Sequence, residues 1–209
     1  VIIAELARIQ SHLLAIGAMV MDVGALTPFL WAIREREKIL DLYDVICGAR
    51  FTTSYTRIGG VAQDISDAAL ASTKTFVDEF TANLNEVRDL VERNKIFIER
   101  CEGIGYLSKE DSIELGLTGP LLRACGVARD LRINEPYLVY DKLDFNIPTY
   151  TDSDCLARYY VRMEELIEST KIIKQCLEKI PSGHHNALQT KKVLPKKERV
   201  YTKMEELIH

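Results

Sequence analysis

The stretch LLAIGAMVMDVGALTPFLWAI, Leu13 to Ile33, places one charged residue, Asp22, among apolar and small side chains. As a continuous helix it is long enough to cross a bilayer, for which about 20 apolar residues suffice. Gly24 and the Thr27-Pro28 pair interrupt it. Thr27 is a suitable N-cap and Pro28 suits the first position of a new helix, so the sequence predicts two buried helices joined by a short turn. An ionised carboxylate is costly to bury unless it is paired or its pKa rises. Asp22 therefore admits two readings. In one, its side chain satisfies backbone N–H groups at the Gly24 turn and at the start of the second helix. In the other, it is a proton-handling group at the edge of an apolar pocket, where desolvation brings a pKa towards neutrality.

Working outward, apolar residues dominate from Ile2 to Val23, with Glu5, Arg8 and His12 forming a narrow polar stripe. This predicts a mostly buried helix, on whose wheel Asp22 lies near Ser11, Ala15 and Ala18. The second helix is expected from Pro28 to Ile46, with Gly48 ending it and the Glu35–Lys38 pair on a solvated face. Arg57 to Gly60 reads as a turn. The longest helical pattern runs from Ser66 to Arg93, with Thr73, Val77, Phe80, Leu84, Val87 and Val91 as its packing seam and Asn94 as its end. Residues 95–151 are irregular and rich in glycine. Within them Ser108 marks a helix start and Gly116 a stop, a short helix follows Pro120, and KLDFNIP (Lys142 to Pro148) alternates like a short strand. A last long helix is expected from Asp154 to Ile180, with one buried stripe from Leu156 through Tyr160, Met163, Ile167, Thr170, Ile173 and Leu177 to Ile180. The fold class is mainly α: a helical bundle carrying a small irregular or β module. Residues 1–181 form the expected helical core and 182–209 a polar loop followed by the start of a helix. The first and last residues fall inside helical patterns, so the chain reads as a piece of a longer protein.

Composition narrows the function classes. The chain is 47% hydrophobic and 28% charged, which suits a globular protein. A net charge of −4 gives no hint of a nucleic-acid partner. Lys191, Lys192, Lys196, Lys197 and Arg199 cluster late in the chain, without interleaved aromatic residues, and read as a solvated loop. Five cysteines with no C-x-x-C spacing argue against a disulfide framework and a zinc ribbon and fit a reducing compartment. The adjacent His184 and His185 lack the acidic or thiol neighbours that complete a metal site. No phosphate-cradling glycine motif occurs, and no nucleophile–base–orienter trio is evident.

Longer matches carry more. ELARIQSHLLAIGAMVMDVGALTPFLWAIREREKILDLY (Glu5 to Tyr43), GARFTTSYTRIGGV (Gly48 to Val61), GLTGPLLRACGVARDLR (Gly116 to Arg132), EPYLVYDKLDFNIP (Glu135 to Pro148) and DCLARYYVRMEELIESTKIIKQCL (Asp154 to Leu177) closely resemble the quinone-site (D-type) subunit family of NADH:quinone oxidoreductase, respiratory complex I. The resemblance covers almost the whole chain in order. It implies kinship with the large subunit of nickel–iron hydrogenases and a core like that protein's, although the C-x-x-C pairs that hold the hydrogenase metals are missing here. It also implies a quinone substrate and no covalently bound cofactor. An iron–sulfur cluster and FMN would sit in partner subunits, and the partners would be iron–sulfur subunits of the peripheral arm together with membrane-arm subunits. The place implied is peripheral, on the cytoplasmic face of the bacterial inner membrane or the matrix side in mitochondria.

Residue by residue, the resemblance maps Asp22 onto the family's aspartate that pairs with a quinone-binding histidine, and Leu14, Ala18, Met21 and Ile33 onto pocket-lining positions. That histidine and its companion tyrosine belong to a family segment absent from these 209 residues. Thr52 stands where many members carry a histidine, and a threonine cannot titrate near neutral pH. Arg50 and Arg57 match family arginines, for which a structural ion pair is an equal reading. The rival readings are a hydrogenase-like metalloprotein and a non-catalytic helical assembly module.

Overall fold

The computed structural model describes residues 1–187, 195 and 197–208. Its frame is four long helices: α1 (Ile2–Asp22), α2 (Leu26–Cys47), α3 (Asp67–Glu92) and α8 (Cys155–Lys179). Between α2 and α3 lies a hairpin of β1 (Thr56–Arg57) and β2 (Gly60–Val61), paired antiparallel. Between α3 and α8 run four short helices: α4 (Lys95–Cys101), α5 (Lys109–Glu114), α6 (Gly119–Arg123) and α7 (Leu131–Asn134). A single 3₁₀ turn follows at Tyr140–Lys142, and α9 (Lys197–Thr202) and α10 (Met204–Ile208) come last. The expected mainly α class with a small irregular module is what the chain adopts.

Leu13 to Ile33 is two helices, and the turn between them closes through its own backbone. The Ala25 N–H donates to the Val20 carbonyl at 3.1 Å and the Gly24 N–H to that of Met21 at 2.8 Å. Gly24 sits at φ +106°, a conformation that residues with a Cβ rarely adopt. The expected N-cap is displaced: α2 begins at Leu26 behind Ala25, with no side-chain cap, so Thr27 and Pro28 lie inside its first turn. Proline is tolerated there because first-turn N–H groups have no intrahelical partner. At its far end α2 stops at Gly48 in the left-handed region, as expected.

The helices pack around one core drawn from α1, α2, α3, α4 and α8. The α3 seam is buried throughout, from Thr73 and Val77 through Phe80 and Leu84 to Val87 and Val91. Gly17 of α1 lets α2 approach: a Cβ at this position would lie 3.1 Å from the Phe29 ring and 3.4 Å from the Ala32 methyl. Helix α8 departs from the single stripe expected of it. Met163, Thr170 and Ile173 are buried, but so are Val161, Glu165, Ser169 and Ile172 on other sides, while Ile180 is exposed. The reason is position: α1, α3, α4 and α6 all pack on α8, so no side of its middle faces water.

Three local expectations are refined or changed. Asn94 stands just past the end of α3, its N–H donating to the Val91 carbonyl, and also caps α4, its side chain accepting from the Ile96 and Phe97 N–H groups. KLDFNIP forms no strand. It begins in the 3₁₀ turn and continues as extended chain, with the Asn146 N–H donating to Glu168 and the Asp144 N–H to Gln175 of α8. The strands lie instead on either side of the predicted Arg57–Gly60 turn, and Gly60 also bridges to Asn186. Of the late basic cluster, Lys191, Lys192 and Lys196 lie outside the described residues.

Candidate functional site on helix α1

Helix α1 has two faces: a buried one with two ionisable side chains among apolar ones, and an open one that is largely apolar. The inner face carries Leu6, Ile9, Leu13 and Ile16, but also Glu5 and His12, fully or almost fully buried. Each of these polar groups has a partner far away in the chain. The Arg132 guanidinium donates to both Glu5 oxygens at 3.0 and 3.1 Å and pairs with Asp130 at 2.7 Å. The Tyr140 hydroxyl donates to Glu5 at 2.6 Å. His12 Nε2 lies 2.6 Å from one oxygen of Glu165 on α8, and the Arg123 Nε donates to the other at 2.6 Å. Arg132 also lies over the Phe145 ring, 4.8 Å from its centroid.

Electrostatics fix the charges. Burial pushes the His12 pKa down more strongly than its bond to Glu165 raises it, so the ring is neutral and its Nε2–H is the donor. Burial alone would raise the Glu165 carboxyl, but its bonds to His12 and Arg123 outweigh that and hold it below the ordinary carboxylate range. Asp130 follows the same logic, with Arg132 overcoming burial. The Tyr140 hydroxyl is pushed up by burial first and then by Glu5, so it remains a donor. Carboxylates and guanidiniums thus neutralise one another in a network joining α1, α6, α7 and α8. The Glu5 and His12 stripe is visible in the sequence, but this role is not. The available signal is that both residues share the helix side of Ile9 and Ile16.

The outer face holds most of the predicted site. Ala4, Ala7, Ser11, Leu14, Ala18 and Met21 recur every three or four residues and are exposed or half-buried. Leu14 is 41% and Met21 38% exposed, although both are large and apolar. Asp22 ends this face, exposed, with no hydrogen bond or ion pair to any described residue. The capping reading is not met: the turn at Gly24 closes through backbone bonds, and no side chain caps the start of α2. Its location at the negative end of the α1 dipole is mildly unfavourable for an anion. Ile33 is half-buried on the neighbouring helix α2. The structure therefore brings Leu14, Ala18, Met21 and Asp22 onto one open face but does not enclose them.

Other singled-out residues resolve locally. Glu35 is not on a solvated face: it is buried, accepting from Asn83 of α3 at 3.1 Å and pairing with Lys38 at 3.0 Å and Arg34 at 2.9 Å. Arg50 forms an ion pair with Glu37 and, at 2.6 Å, with Asp41. Arg57 donates to the Ser54 carbonyl. Thr52 has φ +52°, uncommon for a β-branched residue, and its hydroxyl donates to the Phe51 carbonyl. Among the described residues, no three His, Cys, Asp or Glu side chains converge where a metal could bind.

Comparison with known proteins is consistent across the chain. The family described as respiratory-chain NADH dehydrogenase, 49 Kd subunit, matches residues 22–209. A D-type subunit of NADH-quinone oxidoreductase from Chloroherpeton thalassium is 52% identical over 208 residues, covering 100% of this chain and 47% of that protein. The D-type subunits of the same enzyme from Salinibacter ruber and Methylacidiphilum infernorum are 47% and 49% identical, again over 100% of this chain and over 46% and 50% of theirs. The chain spans about half the length of the curated relatives it matches.

Proposed function

The chain belongs to the family of the 49 Kd subunit of respiratory-chain NADH dehydrogenase, and on that premise we propose that it forms one wall of the quinone-reduction site of a proton-translocating NADH:quinone oxidoreductase. Leu14, Ala18 and Met21, with Ile33 from α2, are the apolar surface against which the quinone lies. Partner subunits hold the flavin and the iron–sulfur clusters, and this subunit lies peripheral to the membrane, on its cytoplasmic or matrix side. The quinone takes up two electrons and two protons to become quinol. Asp22 touches no substrate atom in this scheme. It accepts a hydrogen bond from a histidine outside these 209 residues, fixing that ring's orientation and raising its pKa so that it can deliver a proton.

One observation carries the reading: Asp22 and the apolar residues beside it share an α1 face that the described residues do not cover, and none of them serves a visible folding need. The test is Asp22→Asn in the full-length protein within the assembled enzyme. Quinone-linked turnover should fall about tenfold or more, the scale of a lost orienting partner. NADH oxidation by a water-soluble artificial acceptor should be unchanged. Full quinone turnover with intact assembly would eliminate the role given to Asp22.

A further inference from the structure

The C-terminal end of a helix favours a cation, because its last carbonyls lack intrahelical donors and its dipole is negative there. Helix α1 has no basic residue in its last turn and ends instead on Asp22. The cation comes from another helix. The Arg100 Nη1–H donates to the Val23 carbonyl at 3.2 Å, across 77 positions of sequence. Arg100 stands in the last turn of α4, and that helix is well anchored. Asn94 caps its start, Phe97 is buried edge-on against the Tyr159 ring at 5.1 Å between centroids, and Cys101 is buried at its close. A fixed support thus presents the guanidinium to the turn between α1 and α2. Like Asp22, Arg100 forms no ion pair with any described residue. Glu99, beside it in α4, is taken by Lys95 at 3.5 Å. Two opposite charges without ion-pair partners therefore share the end of α1, one of them bound to the carbonyl next in the chain to the other.

This arrangement meets a need that the quinone reading creates. A carboxylate orients an imidazole ring and raises its pKa only while it is ionised. The α1 dipole works against a negative charge at this position, and a guanidinium, which keeps its charge at any working pH, offsets that field. The effect is small in water and grows when the face is covered and solvent excluded. The bond to Val23 also fixes the backbone from which Asp22 projects. We propose that Arg100 is a further positioning residue of the quinone-reduction site. It complements the charge of Asp22 and holds the end of α1 in place, so that the carboxylate keeps its histidine partner aligned for proton delivery. Arg100 itself touches neither quinone nor histidine. The inference rests on the role proposed for Asp22.

A double-mutant cycle in the full-length protein within the assembled enzyme tests it. Arg100→Gln keeps a donor towards the Val23 carbonyl and removes the charge, whereas Arg100→Lys keeps the charge. NADH oxidation by a water-soluble artificial acceptor reports the amount of intact enzyme and normalises each rate. Quinone-linked turnover should fall about threefold in Arg100→Gln and stay within about twofold of the parent in Arg100→Lys, the scale of an exposed charge pair. In an Asp22→Asn background, Arg100→Gln should bring no further fall, because the charge it complements is gone. A merely structural contact would lower turnover equally in both backgrounds. Unchanged turnover in Arg100→Gln, an equal loss in Arg100→Lys, or losses that multiply in the double variant would overturn the proposal and leave the role of Asp22 standing. Full turnover in Asp22→Asn alone would remove both.

Discussion

The two faces of α1 contrast within a single helix. The inner face buries ionisable groups whose partners lie elsewhere in this chain: Glu5 meets Arg132 and Tyr140, and His12 meets Glu165 of α8, which Arg123 also holds. The outer face is apolar and open, and its one charge, Asp22, is answered by nothing described. A solitary surface helix would carry its charges on the open face. The inner face is explained by folding, and its polar groups set how α1 sits on α6, α7 and α8. The outer face has no such explanation among the described residues, and function is its natural claimant.

Breaking the inner face should have the largest effect. Glu165→Ala leaves Arg123 and His12 buried without their acceptor, and the expected loss is about 3–5 kcal/mol of stability, read as a lower urea midpoint. Next comes the contact that lays α1 against α2. Gly17→Val would push a branched side chain into Phe29 and Ala32, which sit 3.1 and 3.4 Å from the site of its Cβ, at a cost of about 1–3 kcal/mol.

The pH dependence is smaller but more specific. His12 is held neutral, with its folded pKa below the ordinary 6.5. As pH falls below that value the unfolded chain takes up a proton that the folded chain refuses, so stability declines. Above it both states are neutral and the group contributes no slope. Between pH 6.5 and 5.5 the decline is at most about 1 kcal/mol, the limit for a ring that stays neutral throughout. His12→Gln, which keeps a donor towards Glu165, should lose this slope in thermal unfolding followed across that interval. An unaltered slope would mean that His12 is protonated in the fold.

Sequence alone makes the frame legible wherever the deciding interaction is local. Ser66, Ser108 and Asp154 are readable helix starts because each side chain accepts from an N–H three residues on, at 3.2, 3.0 and 2.7 Å. The expected strand at Lys142–Pro148 fails because its alternation reports packing against α8, with Phe145 turned inward, rather than pairing with another strand. Glu35 misleads for a similar reason: its neighbours Arg34 and Lys38 suggest a surface pair, while Asn83 on another helix shares in burying it. The ion network is hardest to see, since Glu5 meets Arg132 across 127 positions and His12 meets Glu165 across 153. For the candidate site, periodicity places Leu14, Ala18 and Met21 on or beside the face of Asp22, and the family resemblance gives that face its meaning. Nothing in the periodicity says that the face is open, because openness depends on what the rest of the fold leaves uncovered.

The central claim is that the outer face of α1 belongs to the site rather than to the fold, and Met21→Trp tests both halves at once. The unfolding midpoint of this chain should move by less than the equivalent of about 0.5 kcal/mol, as for a surface change. In the assembled full-length enzyme the KM for quinone should rise several-fold, with the artificial-acceptor rate unchanged. A clear drop in the unfolding midpoint together with an unaltered KM would contradict the account.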